Sequence, residues 1–120
     1  MNLNFENNIP IYIQLVEKIE LDIISNKLKT GERLKSVREL AILYKVNPNT
    51  IQKALGELEE KGLIYTERTN GKFVTEDQKQ INKIKDKILN EKINNFLQDI
   101  RYIGLTKKEL IEYINKIEGE

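Results

Sequence analysis

The chain has 120 residues, 39% hydrophobic and 32% charged, enough apolar content for one small domain with an appendage and too much for a disordered chain. It holds no Cys and no His, which excludes disulfides, Cys/His zinc sites and His-based acid–base catalysis. No apolar run approaches the ~20 residues of a membrane helix, and residues 1–4 lack the basic and apolar segments of a secretory leader. A cytoplasmic protein without a membrane partner is therefore expected.

Phe5 belongs to a short strand or arm, Leu3-Asn4-Phe5. A first helix is predicted from Pro10, whose missing N–H is tolerated at a first helical position. Tyr12, Val16, Ile19 and Ile23 recur at helical spacing and define its buried face. The helix should end near Ser25–Lys27, with a turn at Thr30-Gly31-Glu32. A second helix begins at Ser36, which forms a capping box with Glu39, and carries Val37, Leu40, Ala41 and Tyr44 inward. It must stop by about Lys45, because Asn47-Pro48 is a cap followed by a first helical residue. The third helix runs to about Lys61, with Gly62 as its C-terminal cap.

Two short helices joined by about three residues have helix-turn-helix geometry. Leu63–Glu67 and Lys72–Thr75 read as paired strands, with the hairpin signal Asn70-Gly71 between them. A winged helix-turn-helix over residues 1–76 is the resulting expectation. Residues 77–120 read as a charged helical tail of two helices. Ile81, Ile84 and Ile88, then Leu89, Ile93, Phe96 and Ile100, form a seam broken at Gly104. Thr106 and Glu109 make a second capping box before Leu110, Ile111, Ile114 and Ile117. The fold class is thus mostly α with one small β-hairpin.

The net charge of +1 is uninformative, but its distribution is not. Lys27, Lys29, Arg33, Lys35, Arg38, Lys45 and Lys53 fall in one stretch opposed only by Glu32 and Glu39. Such a patch suits phosphate binding, although a solvated charged face would look the same. On the third helix, Ile51, Ala54, Leu55 and Leu58 share the core side. Asn49, Gln52, Lys53 and Gly56 share the other, with Thr50 on the flank. Asn and Gln pair with adenine, and Lys with guanine or phosphate. Free N–H groups in the first turn would also favour a phosphate. Gly56 suggests a close approach of another backbone or a neutral substitution. Arg38 suits a DNA contact or an ion pair with Glu39 or Glu32. Arg68 and Lys72 flank the wing tip, where they either meet DNA or sit in solvent.

The run Gly31-Glu32-Arg33-Leu34-Lys35-Ser36-Val37-Arg38-Glu39-Leu40-Ala41 resembles the second-helix signature of the GntR family of bacterial regulators. Val46 to Leu55 with Glu57-Leu58-Glu59 and Gly62-Leu63-Ile64 is similar to that family's recognition helix. Asn70–Val74 is similar to its wing, and Ile9-Pro10-Ile11-Tyr12 with Gln14 to its opening. Asn47-Pro48-Asn49-Thr50 and the short tail, including Gly104–Leu110, resemble the YtrA-like subfamily. The family usually has Pro where this chain has Lys35, and more glycine at the wing tip.

The resemblance implies DNA contacts from Ser36, Arg38, Asn49, Thr50, Gln52, Lys53 and Gly71. It also implies a homodimeric repressor on a pseudo-palindromic operator, with a transporter operon as the target class. Taken with the residue reading, the candidate DNA-binding set is Arg33, Lys35, Ser36, Arg38, Asn47, Asn49, Thr50, Gln52, Lys53, Arg68, Asn70, Gly71 and Lys72. The candidate dimerisation set is Ile81, Ile84, Ile88, Leu89, Ile93, Phe96, Ile100, Leu110, Ile114 and Ile117. No cofactor and no metal are implied. A small-molecule effector is unknown, and a two-helix tail leaves little room for a cavity of roughly 300 Å³. A protein-binding winged helix would present an apolar or acidic third helix. An enzyme would need a convergent acid–base pair or phosphate loop that the chain lacks.

Overall fold

The computed structural model describes residues 4–117. Its elements run α1 (Ile11–Ile24), α2 (Val37–Tyr44), α3 (Pro48–Glu60), β1 (Ile64–Glu67), β2 (Gly71–Val74), α4 (Gln78–Ile103) and α5 (Lys107–Lys116). The chain divides into two compact units at Ile84/Lys85. No helix among the described residues is long and apolar enough to cross a membrane.

In the first unit, α1 and α2 both pack on α3. Leu15, Val16, Ile19 and Ile23 of α1 meet Leu40 and Ala41 of α2 and Ile51, Ala54, Leu55 and Leu58 of α3 in one buried cluster. Leu63, Ile64 and Val74 bring the hairpin into the same core. Leu15 is buried as well as the expected Val16, Ile19 and Ile23, while Tyr12 lies at the core's edge. Glu20 is also buried, and Lys61 neutralises it at 2.9 Å. A charge taken out of water needs such a partner.

The segment before α1 is an arm, with no strand among its described residues; Leu3 lies outside them. Gln14 holds this arm: its Oε1 accepts the Glu6 N–H at 2.9 Å, and its Nε2 donates to the Glu6 and Ile9 carbonyls. Pro10 is the N-cap of α1 and not its first helical residue. With extended backbone there, it presents its carbonyl to Ile13 and Gln14.

β1 and β2 pair antiparallel with Ile64 opposite Val74 and Glu67 opposite Gly71. The connection is therefore three residues long, Arg68-Thr69-Asn70, and Gly71 opens β2. The Asn70 N–H donates to the Glu67 carbonyl, closing a β-turn. Gly71 follows at φ +101°, a value a side chain would strain. The loop before α2 adds a third partner to the hairpin. Gly31 N–H donates to Val74 O, Val74 N–H to Glu32 O, and Leu34 N–H to Lys72 O.

The first unit extends past residue 76, where the patterning places the boundary. Asp77 caps α4 by accepting the Lys79 and Gln80 N–H groups. Ile81, 3% exposed, completes the core, and Ile84 packs at its margin. Ile81 is covered by its own chain and Ile84 partly so, so Ile81 is not free for the dimer seam expected of it. Helical periodicity alone cannot say which unit covers a stripe.

In the second unit, Gly104 ends α4, and its N–H returns to the Ile100 carbonyl. Thr106 and Glu109 form the capping box of α5. Leu110 is 7% exposed, and Leu97, Ile100 and Leu105 are half-buried. Leu89, Ile93, Phe96, Ile111, Ile114 and Ile117 remain exposed.

Candidate nucleic-acid interface

The turn between α2 and α3 is Lys45-Val46-Asn47. Lys45 takes a left-handed φ of 57° and returns its N–H to the Ala41 carbonyl, ending α2. Asn47 then starts α3, its Oδ1 accepting the Asn49 N–H at 2.8 Å. Pro48 fills the first helical position. The Thr50 and Ile51 N–H groups go to the Asn47 carbonyl. The first turn of α3 therefore has its N–H groups engaged, and the expected free donors for a phosphate are absent there. Asn47 acts in this structure as a cap, with its amide nitrogen left for other contacts.

Past that turn, Asn49, Gln52, Lys53 and Gly56 are exposed and Thr50 is half-buried, because Ile51, Ala54, Leu55 and Leu58 are drawn into the core. No acid lies in the first turn of α3. The Lys53 ammonium sits over the Tyr12 ring, 4.0 Å from its centroid. Ile11, Tyr12, Asn49, Thr50 and Lys53 line an open groove of about 410 Å³ beside this end of α3.

The start of α2 supplies a second group of donors. Ser36 Oγ accepts the Glu39 N–H at 3.1 Å, and Glu39 accepts the Ser36 N–H at 3.0 Å. Those bonds, backbone first and hydroxyl second, hold the Glu39 carboxyl below its usual range. A hydroxyl that accepts can still donate, so Ser36 keeps a proton for an acceptor. Glu39 is thus occupied by the cap, and Glu32 accepts the Lys29 N–H. Arg38 is exposed and forms no ion pair among the described residues.

The same holds for Lys27, Lys29, Arg33, Lys35, Lys45 and Lys53. The ion pairs found instead use Lys18, Lys61 and Lys72. The basic stretch is a set of exposed cations that form no ion pair among the described residues.

The wing is less free than its composition suggests. Lys72 Nζ donates to Thr66 Oγ1 at 2.7 Å and to Glu59 Oε1 at 3.0 Å. Thr66 Oγ1 also donates to Glu59. These bonds, Thr66 first and Lys72 second, depress the Glu59 carboxyl. Lys72 thereby ties the hairpin to the last turn of α3. Asn70 Nδ2 donates to Glu67 within the turn. Arg33 lies across Gly71, where a Cβ would come within 3.3 Å of its Nε. Arg68 is exposed at the tip. Arg33 and Arg68 thus form the open part of the wing, with Gly71 half-buried beneath Arg33, while Lys72 and Asn70 brace it. The long-range partners of Lys53 and Lys72 leave no local signal in the sequence, so patterning could not find them.

Residues 11–74 match the family described as bacterial regulatory proteins, gntR family. The chain is 39% identical over 114 residues to the uncharacterized HTH-type transcriptional regulator YhcF of Bacillus subtilis, covering 95% of this chain and 94% of that one. It is 34% identical to the HTH-type transcriptional repressor YtrA of the same organism, over 92% of this chain and 86% of that one. A GntR family transcriptional regulator from Listeria monocytogenes superposes with a TM-score of 0.88 at 39% identity, covering 95% of this chain and all of that one. With more than half of its length matched by the family and full-length relatives at this identity, the chain belongs to the GntR family of bacterial regulatory proteins, as a helix-turn-helix DNA-binding transcription regulator of the YtrA-like kind.

Proposed function

We propose that the protein is a homodimeric, cytoplasmic repressor that occupies a pseudo-palindromic operator and acts without chemistry of its own. The observation that carries this reading is the exposed face of α3. Asn49 and Gln52 offer amide pairs for base edges, Lys53 stands beside them, and no acid precedes them in the helix. The unpaired cations Arg33, Lys35 and Arg38 supply the phosphate-directed charge, with Ser36 as a hydroxyl donor. Asn47, Asn70 and Lys72 contribute through the shape they hold; Arg68 and Gly71 reach the DNA at the wing tip. The apolar surface of the second unit supports the dimer. A transporter operon, on the subfamily resemblance, is the target that mapping of bound genomic fragments would test.

The experiment uses a duplex selected from a random-sequence pool by the wild-type chain. Affinity should fall steeply as salt rises, because each neutralised phosphate releases counterions. Asn49→Ala and Gln52→Ala should each cost about 1–3 kcal/mol on the selected duplex and much less on an unselected one. Binding that is flat in salt, or selected-duplex affinity that survives both substitutions, would show that α3 is not the reading element.

A further inference from the structure

α3 carries a glycine that nothing inside the protein requires. Gly56 lies within the helix and outside the positive-φ residues. A Cβ added there meets no atom within 4 Å. Neither backbone conformation nor packing therefore selects glycine, and helix propensity selects against it. Its position has a pattern: it is three and four residues from Lys53 and Gln52, and so shares their exposed face. The next residues on that face are Glu59 and Glu60, and Glu57, half-buried and four residues from Lys53, flanks it. Glu59 is neutralised by Lys72 at 3.0 Å and bonded by Thr66. Gly56 thus stands where the polar and basic part of the face gives way to acids, one of which, Glu59, is already masked by the wing.

We propose that the sugar–phosphate backbone of one DNA strand crosses α3 at Gly56, close enough that no side chain fits between them. This rests on the DNA-binding reading and adds a contact determined by shape. A helix seated in the major groove is bounded by the two backbones. The strand has to leave the helix before the acidic end, where its phosphates would be repelled. Gly56 is the last position before that end, and its missing Cβ lets the strand pass at van der Waals distance. Masking of Glu59 by Lys72 removes one negative charge from the same crossing.

The test uses the full chain and the duplex selected by the wild-type protein. Gly56→Ala should raise the melting temperature by a few degrees, since it improves the helix and disturbs no neighbour. Its affinity for the selected duplex should fall about tenfold, as expected when a methyl group is forced into a close-packed contact. Gly56→Gln should fall further, in order of size. A Gly56→Ala protein that is more stable and binds within about twofold of wild type overturns the inference alone. So does one that is less stable, because glycine would then have an internal role. A wild-type chain that selects no duplex overturns the DNA reading, and this inference with it.

Discussion

Lys53 is held in place before any nucleic acid arrives. Its ammonium rests on the Tyr12 ring, so a residue of α1 sets the direction of a charge on α3. An exposed contact of this kind is worth about 0.5–1 kcal/mol. Tyr12→Leu should therefore weaken binding to selected and unselected duplexes alike, by roughly two- to fivefold, while Tyr12→Phe keeps the ring and the affinity. In a Lys53→Met background the effect of Tyr12→Leu should vanish, which a double-mutant cycle in a binding assay measures. An equal loss in Tyr12→Phe would instead assign the effect to the hydroxyl. The exposure of Asn49, Gln52 and Lys53 was legible in sequence because the buried residues of α3 leave only one other face. Tyr12 under Lys53, Glu59 beneath Lys72 and Lys61 over Glu20 were not legible. Each pairs residues far apart in the chain, and neither charge nor periodicity names a distant partner.

The starts of α2, α3 and α5 agree with the patterning because local caps set them, whereas α1 begins one residue later than expected, with Pro10 as its cap. Ser36 with Glu39 and Thr106 with Glu109 each satisfy two N–H groups within a single turn. Glu39 and Glu109 are both held below their usual pKa, mainly by the backbone N–H of the cap residue. A lowered folded-state pKa means the unfolded chain binds the proton more readily, so this stabilisation is present above the unfolded value. It is lost as pH falls from about 4.5 through the lower folded-state values. Glu39→Gln and Glu109→Gln should thus melt below wild type near neutral pH, and the gap should close in acid. A gap that stays constant in thermal melts across that window would show that the charge adds nothing to the cap. The wing illustrates where local chemistry runs out. Asn-Gly favours a two-residue turn, but it also suits a three-residue turn with glycine after it. The observed register, Glu67 opposite Gly71, is the second. The Glu32–Leu34 segment that pairs with β2 has no strand pattern of its own, because its partner is remote.

At the scale of the molecule, the two units differ in how much of their own apolar surface each covers. The first unit needs Ile81 in its core, and Gln80 donates to the Lys61 carbonyl at 2.7 Å, at the C-terminus of α3. Truncation after Glu76 should therefore lower the melting temperature, whereas truncation after Ile84 should leave a complete winged helix. The second unit is different. Leu89, Ile93 and Phe96 are 44%, 51% and 48% exposed, and their spacings of four and three place them on one face of α4. Ile114 and Ile117 of α5 are exposed as well. Leu110 buries itself within the unit, while Ile88 and Ile100 are partly covered. An exposed apolar stripe such as Leu89, Ile93 and Phe96 is the kind of surface that interfaces bury, and a two-fold dimer is the commonest way to close one. Two tethered winged helices would bind half-sites about 34 Å apart, one DNA turn, and tethering would raise the effective concentration of the second half. The intact chain should scatter light as twice its 14.1 kDa mass. Ile93→Asp should give a monomer, because a charge would be buried unpaired at the interface, with the melting of the first unit unchanged. That variant and the chain truncated after Ile84 should bind a duplex with two half-sites no better than one with a single half-site. A wild-type chain that is monomeric at micromolar concentration, yet binds the two-half-site duplex tightly, would show that the exposed face of the tail serves something other than a second copy of this chain.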